Sequence, residues 1–199
     1  MLPMNERNIL QVLKKSEKAN IGFEDEAMTQ VILTNSIFML MTDINNFKPA
    51  GQLMATINEA KAALLAENKG GQMYDLIRHG IAGLTVEYVQ KTFIKFSKAQ
   101  KVNGYPLPFS ATIYDGGETE SQSLFLLSDG SYVAFDNRYM ELLKNRVLLK
   151  DGCLVKQDYS THKGTKSYYP LVIDTDVYKF MCMPFYEPHR ALTKYLVKN

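Results

Sequence analysis

The sequence predicts an α+β protein with a helix-rich N-terminal half, an antiparallel β-rich C-terminal half and a candidate repeat of β-α-β-β-β units. Three observations carry that prediction. Two apolar strand pairs flank Asp-Gly dipeptides, SLFLLS-DG-SYVAF (123–135) and RVLLK-DG-CLVKQ (146–157). Asp-Gly suits the type I′ turn of a tight hairpin, whose twist matches the strands it joins. A short helical patch, DNRYMELLKN (136–145), lies between them, and alanine-rich or amphipathic runs fill much of the first 101 residues.

In chain order, ERNILQVLKKSEK (6–18) places Ile9, Leu10, Val12 and Leu13 on one side. Arg7, Gln11, Lys14 and Lys18 follow the 4-3-4 spacing of one helical face. TQVILTNSIFMLMTDI (29–44) reads as two strands turning near Thr34-Asn35-Ser36, with Asp43 closing the second. TINEAKAALLAENKGG (56–71) reads as a helix stopped by Gly70-Gly71. GQMYDLIRHGIAG (71–83) reads as a weaker helix interrupted by Gly80 and Gly83. LTVEYVQKTFIKFSKAQK (84–101) has Val89, Phe93 and Phe96 as an apolar stripe and Lys91, Lys95 and Lys98 opposite, with Thr85 as N-cap. Strands follow at YPLPFSATIYDG (105–116), YYPLVIDT (168–175) and VYKFMCM (177–183), and PHRALTKYLVKN ends the chain as a short amphipathic segment. QKVNGYP (100–106) is the best linker, dividing a helix-rich region 1–101 from a β-rich region 102–199 within what reads equally as one continuous domain. LTVEYVQKTFIKF followed by YPLPFSAT resembles VAFDNRYMELLKN followed by YYPLVIDT, which makes the candidate repeat.

Composition narrows the classes. Hydrophobic content of 46% and charged content of 22% fit a folded globular chain and exclude a disordered one. A net charge of only +2 means that a polyanion must be met by segregated charge. Cys153 and Cys182 do not make a disulfide framework; free thiols are expected, with a single strand-to-strand bridge as the alternative. MLPMNERNILQV has no apolar core of signal-peptide length, and SIFMLM is too short to span a bilayer, so a cytoplasmic protein without a membrane partner is expected.

No chemical motif stands out. His162, His189, Cys153 and Cys182 lack zinc-site spacing, so no metal and no cofactor is expected. Asp174 and Asp176 would share one face of a strand, as paired carboxylates of a hydrolase can, but Asp-Thr-Asp also reads as a turn. Gly70-Gly71 and Gly116-Gly117 lack phosphate-loop context and read as turns. The basic faces Arg7/Lys14/Lys18 and Lys91/Lys95/Lys98 are closest to function. Lysines on a solvated helix face are commonplace; if both faces point the same way, they would track a phosphate backbone without reading sequence. Aromatics are not interleaved with these lysines, which favours duplex over single strand.

Residues 133–185 resemble the closing segment of a DNA polymerase sliding-clamp subunit of the bacterial type. The resemblance rests on Val133 to Phe135, Asn137, Tyr139-Met140, Pro170 to Ile173 and Met183-Pro184-Phe185. It implies a processivity fold of repeated β-α-β-β-β units, with basic helices inside a ring and sheets outside. It also implies a pocket at Met183, Pro184 and Phe185 for short apolar peptides of client proteins. Clamp subunits of that type are longer, with three such domains, so a chain of this size would close a ring with more copies or serve another role. The expected function is therefore a non-catalytic, clamp-like DNA-associated scaffold, a processivity factor of a phage or mobile element, with duplex DNA and protein clients as partners and a homo-oligomer left open. The alternative is a protein-binding module or inhibitor with no DNA contact, using VYKFMCM or the tail. A small hydrolase built on Asp174 and Asp176 ranks third.

Overall fold

The computed structural model describes residues 6–47, 51–115, 118–142, 153–162 and 164–185. The elements run α1 (Glu6–Lys14), β1 (Asn20–Phe23), β2 (Gln30–Thr34), β3 (Phe38–Asp43), α2 (Ile44–Phe47), α3 (Gly51–Ala66), β4 (Gln72–Asp75), β5 (Gly80–Thr85) and α4 (Val86–Ser97). They continue with β6 (Gln100–Val102), β7 (Gly104–Asp115), β8 (Glu118–Leu127), β9 (Tyr132–Asp136), α5 (Asn137–Met140), β10 (Cys153–Thr161), β11 (Gly164–Tyr168), β12 (Leu171–Asp174) and β13 (Tyr178–Cys182). The α+β class stands and the pairing is antiparallel throughout. The helix-rich N-terminal half does not: five strands lie before residue 86 and α1 stops at Lys14.

Nine strands form a continuous path β11-β10-β12-β13-β3-β2-β1-β4-β5, with β6 added to β10, and a second sheet has the order β7-β8-β9. The pairing of β3 with β13 (Phe38↔Cys182 through Thr42↔Tyr178) joins the two ends of the chain in one sheet. Alternation along the strands then defines two layers, because successive side chains point to opposite faces. Val31, Leu33, Leu40, Ile173 and Phe180 face a core that includes Ile9, Leu10 and Leu13 of α1 and Leu53, Ile57, Ala60 and Leu64 of α3. Ile32, Met39, Met41, Val172 and Met181 face the opposite way, against Val86, Val89, Phe93 and Phe96 of α4. The small sheet joins the α1 side through Phe125, Val133 and Phe135, with Tyr139 of α5 in the same cluster.

Local chemistry explains where the elements depart from expectation. Residues 71–83 are a hairpin, β4–β5, rather than a helix. The Asp75 carboxylate accepts from the backbone N–H of Ile77 (2.9 Å) and Arg78 (3.1 Å), which folds the chain into a turn. His79 completes the turn at φ +49°. The alanine-rich helix starts earlier than expected, at Gly51, and the chain leaves it through Asn68 at φ +52°. The first Asp-Gly hairpin forms, but with a three-residue loop: Gly130 donates to Leu127 O (3.0 Å) and Leu127 to Ser131 O (2.8 Å). Gly130 alone of the pair has positive φ (+82°), while the Asp129 carboxylate is bonded to Ser131 N and Oγ, so a type I turn with a glycine bulge replaces type I′. The second Asp-Gly and the PHRALTKYLVKN tail lie outside the described residues, as does Gly116-Gly117.

Two features fasten the layers together. Asn35, 3% exposed, donates from Nδ2 to Tyr139 Oη (3.1 Å) and accepts at Oδ1 from the N–H of Ile37 and Phe38. Gly104, at the start of β7, lies so close to β10 that a Cβ there would sit 2.4 Å from Leu154 Cδ1. The stretch expected to be a linker, 100–106, thus forms β6 and the tight start of β7.

Candidate nucleic-acid interface

The α4 helix is the best-defined charged element. Thr85 Oγ1 accepts from Tyr88 N (3.2 Å), satisfying one of the free N–H groups at the helix start. Glu87 in the first turn and Lys95 in the last complement the helix dipole. With Val86, Val89, Phe93 and Phe96 buried against the sheet, Lys91, Lys95 and Lys98 are held outward on a rigid support, all exposed. Lys91 is paired with Glu87, and that hydrogen bond holds the Glu87 carboxyl below its ordinary range.

Two residues not anticipated from the sequence extend this face. Tyr88 is 65% exposed and lies three, seven and ten positions before Lys91, Lys95 and Lys98, so an aromatic ring does share their stripe. Lys179 of β13 places Nζ 5.8 Å from the centre of the Phe93 ring, bringing a fourth amine to the α4 side. Its cross-strand neighbour, the exposed Asp174, offsets part of that charge. Spacing alone would have found Tyr88; Lys179 needed the strand order.

The other basic group does not join them. Arg7 and Lys14 are exposed on α1, on the opposite side of the sheet from α4. Lys18 lies beyond the helix end, in the link to β1, so the 4-3-4 face is not completed. The two basic faces therefore do not form one surface within a single copy.

The remaining candidates take structural positions. Met183, Pro184 and Phe185 are half-buried. Met183 N donates to Ile37 O (2.7 Å) and Phe185 N to Ala134 O (2.9 Å), so this segment bridges the large sheet and β9. Asp174 ends β12 and Asp176 lies in the exposed β12–β13 turn, closed by Thr175 and Tyr178. Asp43 accepts from Asn45 N and Gln30 Nε2. Cys153 and Cys182 are free thiols, Cys182 fully buried and pushed well up by that burial. His162 is exposed, and His189 lies outside the described residues. Among the described residues no group of three His, Cys, Asp or Glu could hold a metal ion, and no helix is long and apolar enough to cross a membrane. A cavity of about 150 Å³ lies between α1 and Tyr139, and one of about 410 Å³, lined in part by Gly70 and Gly71, lies between Glu24–Glu26 and the end of α3; neither is lined by the candidate lysines and arginine, the thiols, the histidines or the Asp174/Asp176 pair. Comparison of the chain with protein-family models, curated proteins and solved structures finds no match.

Proposed function

We propose that this chain is a non-catalytic, clamp-like DNA-associated scaffold that meets the duplex backbone through the outer face of α4. The supporting observation is the Lys91, Lys95 and Lys98 stripe on a capped helix anchored by four buried side chains, with Lys179 beside it. Three amines at helical spacing on a fixed support suit phosphates and carry no base-reading geometry, so binding is sequence-independent and salt-sensitive. Tyr88 adds a ring able to lie against a sugar or an exposed base. The half-buried Met183–Phe185 segment is the contact for protein clients.

Fluorescence anisotropy with a labelled duplex, titrated at several salt concentrations, tests this reading. Replacing Lys91, Lys95 and Lys98 together by alanine should lower affinity at low salt. It should also reduce the slope of log K against log salt by up to about 2.7, at about 0.9 for each phosphate no longer neutralised. No binding at low salt would overturn the DNA reading and favour the alternative, a phage-type protein-binding module or inhibitor without DNA contact.

A further inference from the structure

An antiparallel sheet must do something with the unpaired N–H and C=O groups of its outer strands, and this molecule treats its edges unequally. The β11 edge is exposed and carries Lys166, and β6 is three residues long and carries Lys101. The β7 edge contains Pro106 and Pro108, with a register shift between Pro106 and Ser110. The β9 edge is engaged by Phe185 N at Ala134 O. In contrast, β5 reads Gly80-Ile81-Ala82-Gly83-Leu84-Thr85, without charge or proline, and among the described residues only β4 pairs with it. Its side chains are half-buried on both faces, Ile81 toward the α1 and α3 core and Ala82 and Leu84 toward the α4 core.

We propose that β5 is a self-pairing edge: two copies of this chain join β5 to β5, antiparallel, about a two-fold axis through Gly83. A two-fold normal to the sheet keeps each face on its own side, so one residue must lie opposite itself. Centring on Ala82 would set Ile81 and Leu84 opposite glycines. Centring on Gly83 sets Ala82 opposite Leu84 on the α4 face and Ile81 opposite Thr85 on the other, and puts the residue without a side chain on the axis. A Cβ at Gly83 would meet nothing within 4 Å, so the space at the axis is open. In this register the β4–β5 turn of each copy lies toward the start of α4 in the other, but Arg78 is paired with Asp75, His79 with Glu59 and Glu87 with Lys91. What selects a second copy over an unrelated strand is therefore the fit of β5 to itself about Gly83, which matches the residues of each face and leaves the axis open. The inference does not rest on the DNA reading, and its test contains no DNA.

Sedimentation equilibrium of the full chain should give twice the 22.6 kDa of one copy. Gly83→Lys, which sets two ammonium groups face to face on the axis, should raise the dimer dissociation constant by on the order of tenfold or more, with the circular dichroism spectrum unchanged. Gly83→Cys should form a disulfide-linked dimer on air oxidation, because directly opposed antiparallel residues lie about 4.5–5.5 Å apart at Cα, within disulfide range. Lys166→Glu, on the far edge, should leave the dimer constant unchanged. A monomer at all concentrations up to about 100 μM, well above the range of stable specific dimers, would overturn the inference. So would a larger assembly, a dimer indifferent to Gly83→Lys, or no cross-link in Gly83→Cys.

Discussion

Asn35 is the residue whose loss should be felt farthest from its own position. Its amide donates to Tyr139 Oη at 3.1 Å, and its carbonyl oxygen accepts from Ile37 N and Phe38 N, each at 3.1 Å. Asn35 and Tyr139 are 3% and 7% exposed, so water replaces little of what is removed. Asn35→Ala orphans the buried Phe38 N–H and the Tyr139 hydroxyl, at about 1–2 kcal/mol each, and loosens the Ile37 end of the turn, for a total of about 3 kcal/mol. Tyr139→Phe keeps the ring against Phe38, 5.8 Å between centroids, and orphans only one amide hydrogen; about 1 kcal/mol is expected. Urea unfolding followed by circular dichroism reads both. With a slope near 2 kcal/mol per molar, the midpoint should fall by about 1.5 M for Asn35→Ala and about 0.5 M for Tyr139→Phe. The double variant should be less destabilised than the sum by about 1 kcal/mol, the coupling of a direct contact. Strict additivity, or a shift under about 0.5 M for Asn35→Ala, would refute a buried link between the β2–β3 turn and α5.

The junction at Gly104 and the thiol of Cys182 give two further expectations. Gly104→Ala drives a methyl group to 2.4 Å from Cδ1 of Leu154, which is itself only 2% exposed. That overpacking should cost about 1–3 kcal/mol and lower Tm by roughly 3–10 °C, whereas Gly70→Ala, where nothing lies within 4 Å, should stay within about 0.5 kcal/mol. Burial first, and Asp136 second, raise the Cys182 thiol well above its ordinary value. Below the unfolded value of about 8.5 both states hold the proton; above it the unfolded chain releases it first, so stability falls as pH rises. Tyr139 and Tyr74, both raised chiefly by burial, extend the fall above about pH 10. Urea midpoints at pH 7, 8.5 and 10 should therefore stay nearly level to 8.5 and decline from 8.5 to 10, with a smaller second step in Cys182→Ala; parallel curves would remove the thiol as the cause.

What was legible follows from how local each signal is. The β2–β3 turn at Asn35, the β12–β13 turn at Asp176 and the whole of α4 were readable, because alternation, capping by Thr85 and a 3-4 apolar stripe all lie within a dozen residues. Residues 71–83 were misread because Gly80 and Gly83 looked like interruptions of a helix, while the decisive group was the Asp75 side chain folding back on Ile77 and Arg78. The placement of α1 and α4 on opposite sides of the sheet was not legible at all. It depends on which strand neighbours which, above all on β3 meeting β13 across more than 130 residues, and no local period encodes that. Lys179 was missed for the same reason: only the β13 register sets its amine over Phe93.

The separation of the two basic helices bears directly on binding strength. In one copy Lys91, Lys95, Lys98 and Lys179 on the α4 side together account for a salt slope of about −3.6 at 0.9 per phosphate. Pairing β5 to β5 about an axis normal to the sheet leaves α4 of both copies on the same side, so the dimer would offer up to eight amines and a slope approaching about −7. The second helix would then bind as part of one body, at a high effective concentration set by the rigid sheet rather than by a linker. Gly83→Lys separates the copies without changing any α4 residue that faces outward. Anisotropy titrations at protein concentrations where the wild type is dimeric and Gly83→Lys monomeric should therefore show the slope falling by about half, together with a loss of affinity of at least tenfold. An unchanged slope in a monomeric Gly83→Lys variant would mean that the two helices do not share one duplex, even if β5 pairs as proposed. A slope near −7 that survives in the monomer would instead require basic residues outside α4 and Lys179; Lys101, exposed on the α4 side opposite Val155, would be the next to replace, and then Arg7 and Lys14 on the other side of the sheet.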